Sequence, residues 1–83
     1  MRETLEDLGY ENLLVFENPD YDDAIIGVSH DDRVIYDYDK MIAHLMDKES
    51  MSIEEAADFI SYDTIRSLSY SGPEAPIVMF GIN

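Results

Sequence analysis

Two short apolar runs, separated by a pair of aspartates, constrain the fold of this chain most strongly. Residues 24–30 (AIIGVSH) and 33–38 (RVIYDY) are rich in β-branched side chains, and only Asp31 and Asp32 lie between them. Two such runs at this spacing are typical of a β-hairpin. The chain therefore contains at least one antiparallel pair of strands.

The register of this hairpin depends on its turn. A two-residue turn would place Val28 opposite Ile35, and Tyr36 over Gly27, where the ring could cover the exposed backbone. Asp-Asp is a weaker turn pair than Asp-Gly, because Asp adopts a positive φ less readily than Gly. A loop of three or four residues therefore stays possible.

The residues after the hairpin have a helical pattern. Residues 39–49 carry apolar side chains at spacings of three and four, with Asp37 or Asp39 as the candidate N-cap. Those apolar side chains are Met41, Ile42, Leu45 and Met46. The pattern predicts an amphipathic helix that ends near Lys48.

A second helix begins at a capping box. The Ser52 hydroxyl can accept a hydrogen bond from the backbone N–H of Glu55, whose carboxylate can accept one in return. The apolar stripe of this helix contains Ile53, Ala56, Ala57 and Ile60. The pattern weakens around residues 61–63, which predicts a bend there, with Asp63 able to cap a short further helix over residues 64–68.

Two further runs complete the predicted fold. Residues 12–17 (NLLVFE) have the length and composition of a strand, and residues 77–82 (IVMFGI) read as a strand apolar on both faces, hence central or well covered. We therefore predict a single α+β domain over residues 1–83. Its three- to four-stranded, mostly antiparallel sheet is expected to have an αα-hairpin packed on one face.

The charge of the chain limits its partners. Nineteen acidic residues stand against five basic ones, a formal net charge of −14. Such a surface repels DNA, RNA and anionic membranes, so no direct nucleic-acid or membrane binding is expected. No cysteine is present, and no apolar run or N-terminal leader indicates a membrane span or export, so we expect a cytoplasmic protein.

Three segments together resemble a known group of proteins. The strings AIIGVSHDDRVIYDYDKMI, MSIEEAADFISYDTIRSL and GPEAPIVMFGI are similar to a group of small acidic uncharacterised proteins from Gram-positive bacteria, their phages and other mobile elements. The resemblance extends over most of the chain, and YDYDKM and YDTIRSL are its most specific parts. It implies a small cytoplasmic protein of a kind carried by phages, and it implies no activity and no site.

The acids around the hairpin form the candidate partner-binding surface. A face dense in carboxylates could occupy the basic groove of a nucleic-acid-binding protein, as a nucleic acid does, and interspersed tyrosines would add rigid contact area. The predicted contact residues are Glu17, Asp20, Asp22, Asp23, Asp31, Asp32, Asp37 and Asp39. We expect a non-enzymatic, phage-encoded inhibitor that acts on a basic protein partner such as a CRISPR nuclease or another defence protein.

The alternative reading is a structural or assembly module. In that case the acids only increase solubility, as excess Asp and Glu do in many small proteins. If Met79 and Phe80 form an exposed edge, strand pairing could also make a homodimer.

Neither metal binding nor catalysis is predicted. An EF-hand beginning at Asp20 would need Gly at its sixth position and Glu at its twelfth, where this chain has Ile25 and Asp31. His30 and His44 lie near carboxylates, but no catalytic triad, zinc motif or phosphate-binding loop accompanies them. We therefore expect no enzyme activity and no cofactor.

Overall fold

The central element of the fold is a strand that pairs with a neighbour on each side. The computed structural model describes residues 9, 13–16, 21–68, 70 and 72–82. In this part of the chain, β1 (Ile25–Val28), β2 (Val34–Asp37) and β3 (Ile77–Met79) form a sheet in the order β1-β2-β3. β1 is antiparallel to β2, and β3 is parallel to β2.

The α+β class is confirmed, but the sheet is mixed rather than mostly antiparallel. The cause is the long connection between β2 and β3. It contains both helices and returns the chain to the end of the sheet at which β2 begins. Such a crossover is what a parallel pair requires. β3 lies at an edge and not at the centre of the described sheet, because β2 occupies the position between the other two strands.

The hairpin has a three-residue loop instead of the two-residue turn. The Ser29 N–H donates to the Arg33 carbonyl (2.8 Å), and Asp32 adopts φ 60°. A left-handed residue at the end of a three-residue loop is a common way to close a hairpin. The expected register is therefore wrong by one residue: Val28 faces Val34 and Gly27 faces Ile35, with an irregularity between Ile25 and Gly27.

Helix α1 (Tyr38–Lys48) begins and ends where its sequence predicts. The Asp37 carboxylate accepts a hydrogen bond from the Lys40 N–H (3.0 Å), which identifies Asp37 as the N-cap. Met41 and Leu45 are fully buried, whereas Met46 is 41% exposed. Burying a side chain of this size contributes about 1.5–3 kcal/mol, so the two buried residues hold α1 against the sheet.

Helix α2 (Ile53–Phe59) begins at the predicted capping box. The Glu55 N–H donates to the Ser52 hydroxyl (3.2 Å), and the Ser52 N–H donates to the Glu55 carboxylate (3.1 Å). Of the predicted stripe, Ala56 and Ile60 are buried, but Ile53 at the first helical position is 63% exposed.

The predicted bend after α2 is a π-helical segment. The helix widens over Ile60–Ile65 and is followed by a single α-helical turn, Arg66–Leu68. Asp63 lies inside this segment and does not cap a new helix. α1 and α2 both contribute to the core, while their arrangement as an αα-hairpin on one sheet face stays a prediction.

Two tyrosines lie at the centre of the core. Tyr21 and Tyr36 are both fully buried, and each hydroxyl has a hydrogen-bond partner. The Tyr36 hydroxyl accepts from the Phe16 N–H (3.0 Å), and the Tyr21 hydroxyl pairs with the Thr64 hydroxyl (2.9 Å) in the π-helical segment. The remaining fully buried or nearly buried members of this cluster are Ala24, Ile25, Val34, Met41, Leu45, Ala56 and Ile60.

The segments predicted as the first and last strands differ from expectation. Residues 13–16 form no strand, although Leu13, Val15 and Phe16 pack against the core; residues 12 and 17 lie outside the described residues. Phe80, in the run predicted to be central or well covered, is 59% exposed and lies against the Tyr38 ring (centroids 4.5 Å apart).

The Tyr21–Thr64 hydrogen bond predicts a measurable coupling energy. Thr64→Val and Tyr21→Phe should each lower the free energy of unfolding by about 1–3 kcal/mol, because each leaves a buried hydroxyl or its site unpaired. The double variant should lose about 1 kcal/mol less than the sum of the two. Urea denaturation of the four proteins measures this, and strictly additive losses would show that the two hydroxyls do not interact.

Candidate functional site

The structure places the predicted contact acids in two separate groups. Glu17 and Asp20 lie outside the described residues. Of the other six, four lie at the end of the hairpin where β1 begins and β2 ends, and two lie in the loop at its opposite end. Strands of four residues, each about 13 Å long, separate these ends. The six described acids therefore do not form one continuous face.

The first group, the acidic end, gathers carboxylates from three elements. Ile25 pairs with Tyr36, so the 3₁₀ turn Asp22–Ala24 before β1 lies beside the residues that follow Tyr36. One further carboxylate, Asp47, lines the same pocket as Asp23. The members of the acidic end are Asp22, Asp23, Asp37, Asp39 and Asp47.

These five carboxylates differ in exposure and in the hydrogen bonds that they make within the chain. Asp23, Asp39 and Asp47 are exposed, whereas Asp22 and Asp37 are half-buried. Asp37 caps α1, so part of its hydrogen-bonding capacity is used by the helix. The exposed three are the members best placed to meet a partner.

The second group is the hairpin loop. Asp31 and Asp32 are both exposed, and Asp31 accepts a hydrogen bond from the Ser29 hydroxyl. This hydrogen bond lowers the pKa of the Asp31 carboxyl below its usual value. The loop therefore presents two negative charges, one of which also stabilises the turn.

A surface pocket lies within the acidic end. Its volume is about 250 Å³, and its lining residues are Asp23, Lys40, Ala43, His44 and Asp47. Ala43, His44 and Asp47 lie three, four and seven residues after Lys40 along α1, which places the four on one face of the helix. Asp23, in the 3₁₀ turn, also lines the pocket. The same helical spacing is visible in the sequence, where it is equally typical of a solvated helix face.

His44 joins this pocket to the core. Its ring lies against the buried Tyr21 ring, with centroids 5.5 Å apart. Its Nδ1 atom is buried and, within the described part of the chain, has no hydrogen-bond partner. Leaving a buried polar atom unpaired costs about 1–3 kcal/mol, so this nitrogen of His44 does not itself stabilise the fold.

Burial also affects the ionisation of Tyr21. Desolvation raises the pKa of its phenol above the usual 10.0, the negative charge of Asp63 acts in the same direction, and the hydrogen bond with Thr64 opposes them. The neutral phenol is therefore the form that the folded chain favours.

The tyrosines expected beside the acids are divided between core and surface. Tyr21 and Tyr36 are buried and unavailable to a partner, so the expectation is wrong for both. Tyr62 is 67% exposed and Tyr70 is 87% exposed, while Tyr10 lies outside the described residues. The buried pair could not be recognised from the sequence, because alternation does not show which face of β2 is covered and Tyr21 lies outside the strands.

Helix α2 carries further acids that the sequence-based surface omitted. Glu54 and Asp58 are exposed, and Tyr62 follows them at the same spacing of four residues. This spacing places Glu54 and Asp58 on one side of α2, whereas Tyr62 lies in the π-helical segment that follows.

No group of three or more metal-ligating side chains is found among the residues that the structure describes. In the same residues, no helix has the length and apolar character needed to cross a membrane.

No family model matches this chain, and no similar curated protein or solved structure was found. The resemblance to small acidic phage-associated proteins therefore stays a prediction. The function proposed below depends on the positions, exposure and charges of the residues described above.

Replacing His44 should show whether its imidazole contributes to the free energy of unfolding. His44→Phe retains a ring against Tyr21 and removes the unpaired nitrogen, so we expect the free energy of unfolding to stay equal or to rise by up to about 1 kcal/mol. His44→Ala, which loses the ring contact, should lower it by about 1 kcal/mol or more. Urea denaturation compares them; a loss above about 1 kcal/mol in His44→Phe would mean that the imidazole stabilises the fold.

The raised pKa of Tyr21 predicts a loss of stability in alkali. Because the unfolded phenol ionises near pH 10.0 and the folded one higher, the contribution of Tyr21 is complete below that pH and is lost as the pH rises toward the folded pKa. The difference in unfolding free energy between the natural chain and Tyr21→Phe should therefore narrow between pH 9 and about pH 11. A constant difference across this range would contradict the assignment.

Proposed function

We propose that this chain is a non-enzymatic acidic interaction protein that binds the basic surface of a protein partner. The observation that supports it is the presence of three exposed carboxylates on the 3₁₀ turn and α1, Asp23, Asp39 and Asp47, of which Asp23 and Asp47 line one pocket. In a chain of net charge −14, this end would be drawn to a positive groove by long-range attraction and would be repelled by nucleic acids.

The partner class follows from the charge pattern. A protein groove that binds DNA or RNA is positively charged and accepts closely spaced negative groups. Asp39 and Asp47 are two helical turns apart, about 12 Å along α1. Asp23 lines one pocket together with Asp47. We propose that the acidic end competes with nucleic acid for such a groove. Inhibition of a defence nuclease, such as a CRISPR nuclease, and an origin in a phage are the narrowest form of this proposal.

Charge reversal at the acidic end tests the proposal. The triple variant Asp23→Lys, Asp39→Lys and Asp47→Lys should lose a partner captured from bacterial lysate by more than tenfold in affinity, about 1.4 kcal/mol. Its thermal midpoint should change little, because all three side chains are exposed. Capture on immobilised chain, with release by duplex DNA as the readout of competition, measures the effect.

A matched variant controls for total charge. Glu54→Lys, Asp58→Lys and Glu74→Lys alter three exposed acids outside the acidic end by the same number of charges. Under the proposal this control keeps its partner within about threefold, since distant exposed charges are screened at physiological salt. Equal losses in both triples would reject the acidic end as the contact, and capture that duplex DNA does not reverse would reject competition with nucleic acid.

One observation favours an assembly module as the second candidate. Beside the edge strand β3, Met79 is 40% exposed, Phe80 is 59% exposed and Ile82 is 99% exposed. An exposed apolar edge can pair with another chain. In that case Ile82→Asp or Phe80→Asp would abolish the partner contact, and the charge-reversal triple would leave it intact.

A further inference from the structure

The core lies against one of the two faces of the sheet. Alternation along β2 sends the side chains of Val34 and Tyr36, both fully buried, to this core face. Val28 lies opposite Val34, and Val78 lies opposite Tyr36, so the same face continues into β1 and β3. Val28 and Val78 are both packed against the core cluster.

The opposite face of the sheet is also apolar. Ile35 lies on it because it alternates with the buried Tyr36, and its partners in register are Gly27 on β1 and Ile77 on β3. In the part of the chain that the structure describes, neither Ile35 nor Ile77 packs against the core cluster. We call this surface the outer face, and its apolar side chains are Ile26, Ile35, Ile77 and Met79.

The outer face is open. Ile26 and Gly27 together oppose one residue of β2 at the irregularity in β1, and a methyl group added at Gly27 would meet no described atom within 4 Å. Ile26 is 41% exposed and Met79 is 40% exposed. A sheet whose second face meets water commonly carries polar side chains there, and a contiguous exposed apolar patch marks an interaction surface.

The charges of the outer face fit a second copy of this chain. Of the described positions in and beside β2, alternation places Arg33 at one end of this face and Asp37 at the other, about 13 Å apart. The Arg33 Nε donates to the Ala75 carbonyl (2.7 Å), which holds the guanidinium beside the start of β3. A two-fold rotation that reverses the strand direction brings Arg33 of each copy over Asp37 of the other. The face is thus self-complementary in charge, although the whole chain has a net charge of −14.

We propose that two copies of this chain associate through their outer faces, as two sheets packed face to face. The apolar side chains around Ile35 meet their equivalents, the space over Gly27 admits a side chain of the facing copy, and an Arg33–Asp37 pair forms at each end. This inference goes beyond the proposed function, because it concerns a second surface and a different partner. The reversed strand direction leaves the two acidic ends at opposite ends of the dimer.

Sedimentation equilibrium of the whole chain measures this association. The outer face is small beside the roughly 800 Å² per partner of a stable complex, so we expect a Kd on the order of 100 μM in about 0.15 M NaCl. Raising NaCl to about 1 M should tighten the dimer by about threefold or more, because salt screens the repulsion between two strongly acidic chains. Capture of a basic partner should respond to salt in the opposite direction. A chain that stays monomeric up to about 1 mM at both salt concentrations would overturn the proposal.

Two pairs of matched variants locate the contact. Ile26→Asp should weaken the dimer by more than about tenfold, because it places a carboxylate in an apolar contact. Ile53→Asp, the same change at an exposed position of α2, should leave the Kd within about twofold. Asp37→Asn keeps the N-cap of α1, since Asn caps a helix as well as Asp, and should weaken the dimer by about threefold. Asp39→Asn removes the same charge and should not weaken it, because loss of a negative charge elsewhere only lowers the repulsion between copies.

A second measurement needs no variant. Labelled and unlabelled chains are mixed at about 1 mM, well above the expected Kd, and isotope-filtered NOEs are recorded between the copies. We expect intermolecular NOEs among the methyl groups of Ile26, Ile35 and Ile77. A dimer in which these methyl groups show none would overturn the outer face as the contact.

The remaining outcomes separate this inference from the alternatives. Loss of the dimer in Phe80→Asp but not in Ile26→Asp would assign the association to the edge of β3 and overturn the outer face. Equal losses in Ile26→Asp and Ile53→Asp would show unspecific apolar association and would also overturn it. A dimer broken by Ile26→Asp, together with partner capture insensitive to the charge-reversal triple, would support the outer face and reject the proposed function.

Discussion

The buried side chain of Tyr21 is the contact on which the rest of the structure depends. Its hydroxyl pairs with Thr64 in the π-helical segment, and its ring lies against Phe16 and against His44 of α1. Tyr21 adopts φ 47° at the start of the 3₁₀ turn, a conformation that a non-glycine residue adopts only where its surroundings hold it. This one residue therefore joins three parts of the chain and sets the position of Asp23 beside α1.

The capping signals in the sequence predicted their helix boundaries correctly, whereas the strand expected over residues 12–17 and the direction of β3 in the sheet were predicted wrongly. The Asp37 cap, the exit of α1 near Lys48 and the Ser52–Glu55 capping box depend on residues three or four apart, so the chain encodes them directly. The parallel pairing of β3 with β2 depends on how the 38–76 connection crosses the sheet, which no short pattern specifies. The weak pattern near residues 61–63 marked the irregularity but not its π-helical form.

The candidate site was predictable in its chemistry and not in its geometry. Composition alone indicated an acidic surface and predicted no direct binding of nucleic acids. Asp31 lies in the hairpin loop and Asp39 follows the second strand, so these two acids lie at opposite ends of the hairpin whatever the length of the loop. Asp47 joins Asp23 only through tertiary packing, so neighbours in the sequence could not indicate the pocket.

We propose that exposed carboxylates, rather than apolar contacts, hold the partner. The most direct measurement is the Kd for the captured partner as a function of NaCl concentration. Between about 0.1 M and 1 M the Debye length falls from about 10 Å to about 3 Å, and we predict that affinity falls by more than tenfold. An affinity that stays constant or rises with salt, as burial of an apolar edge such as β3 would produce, contradicts the account.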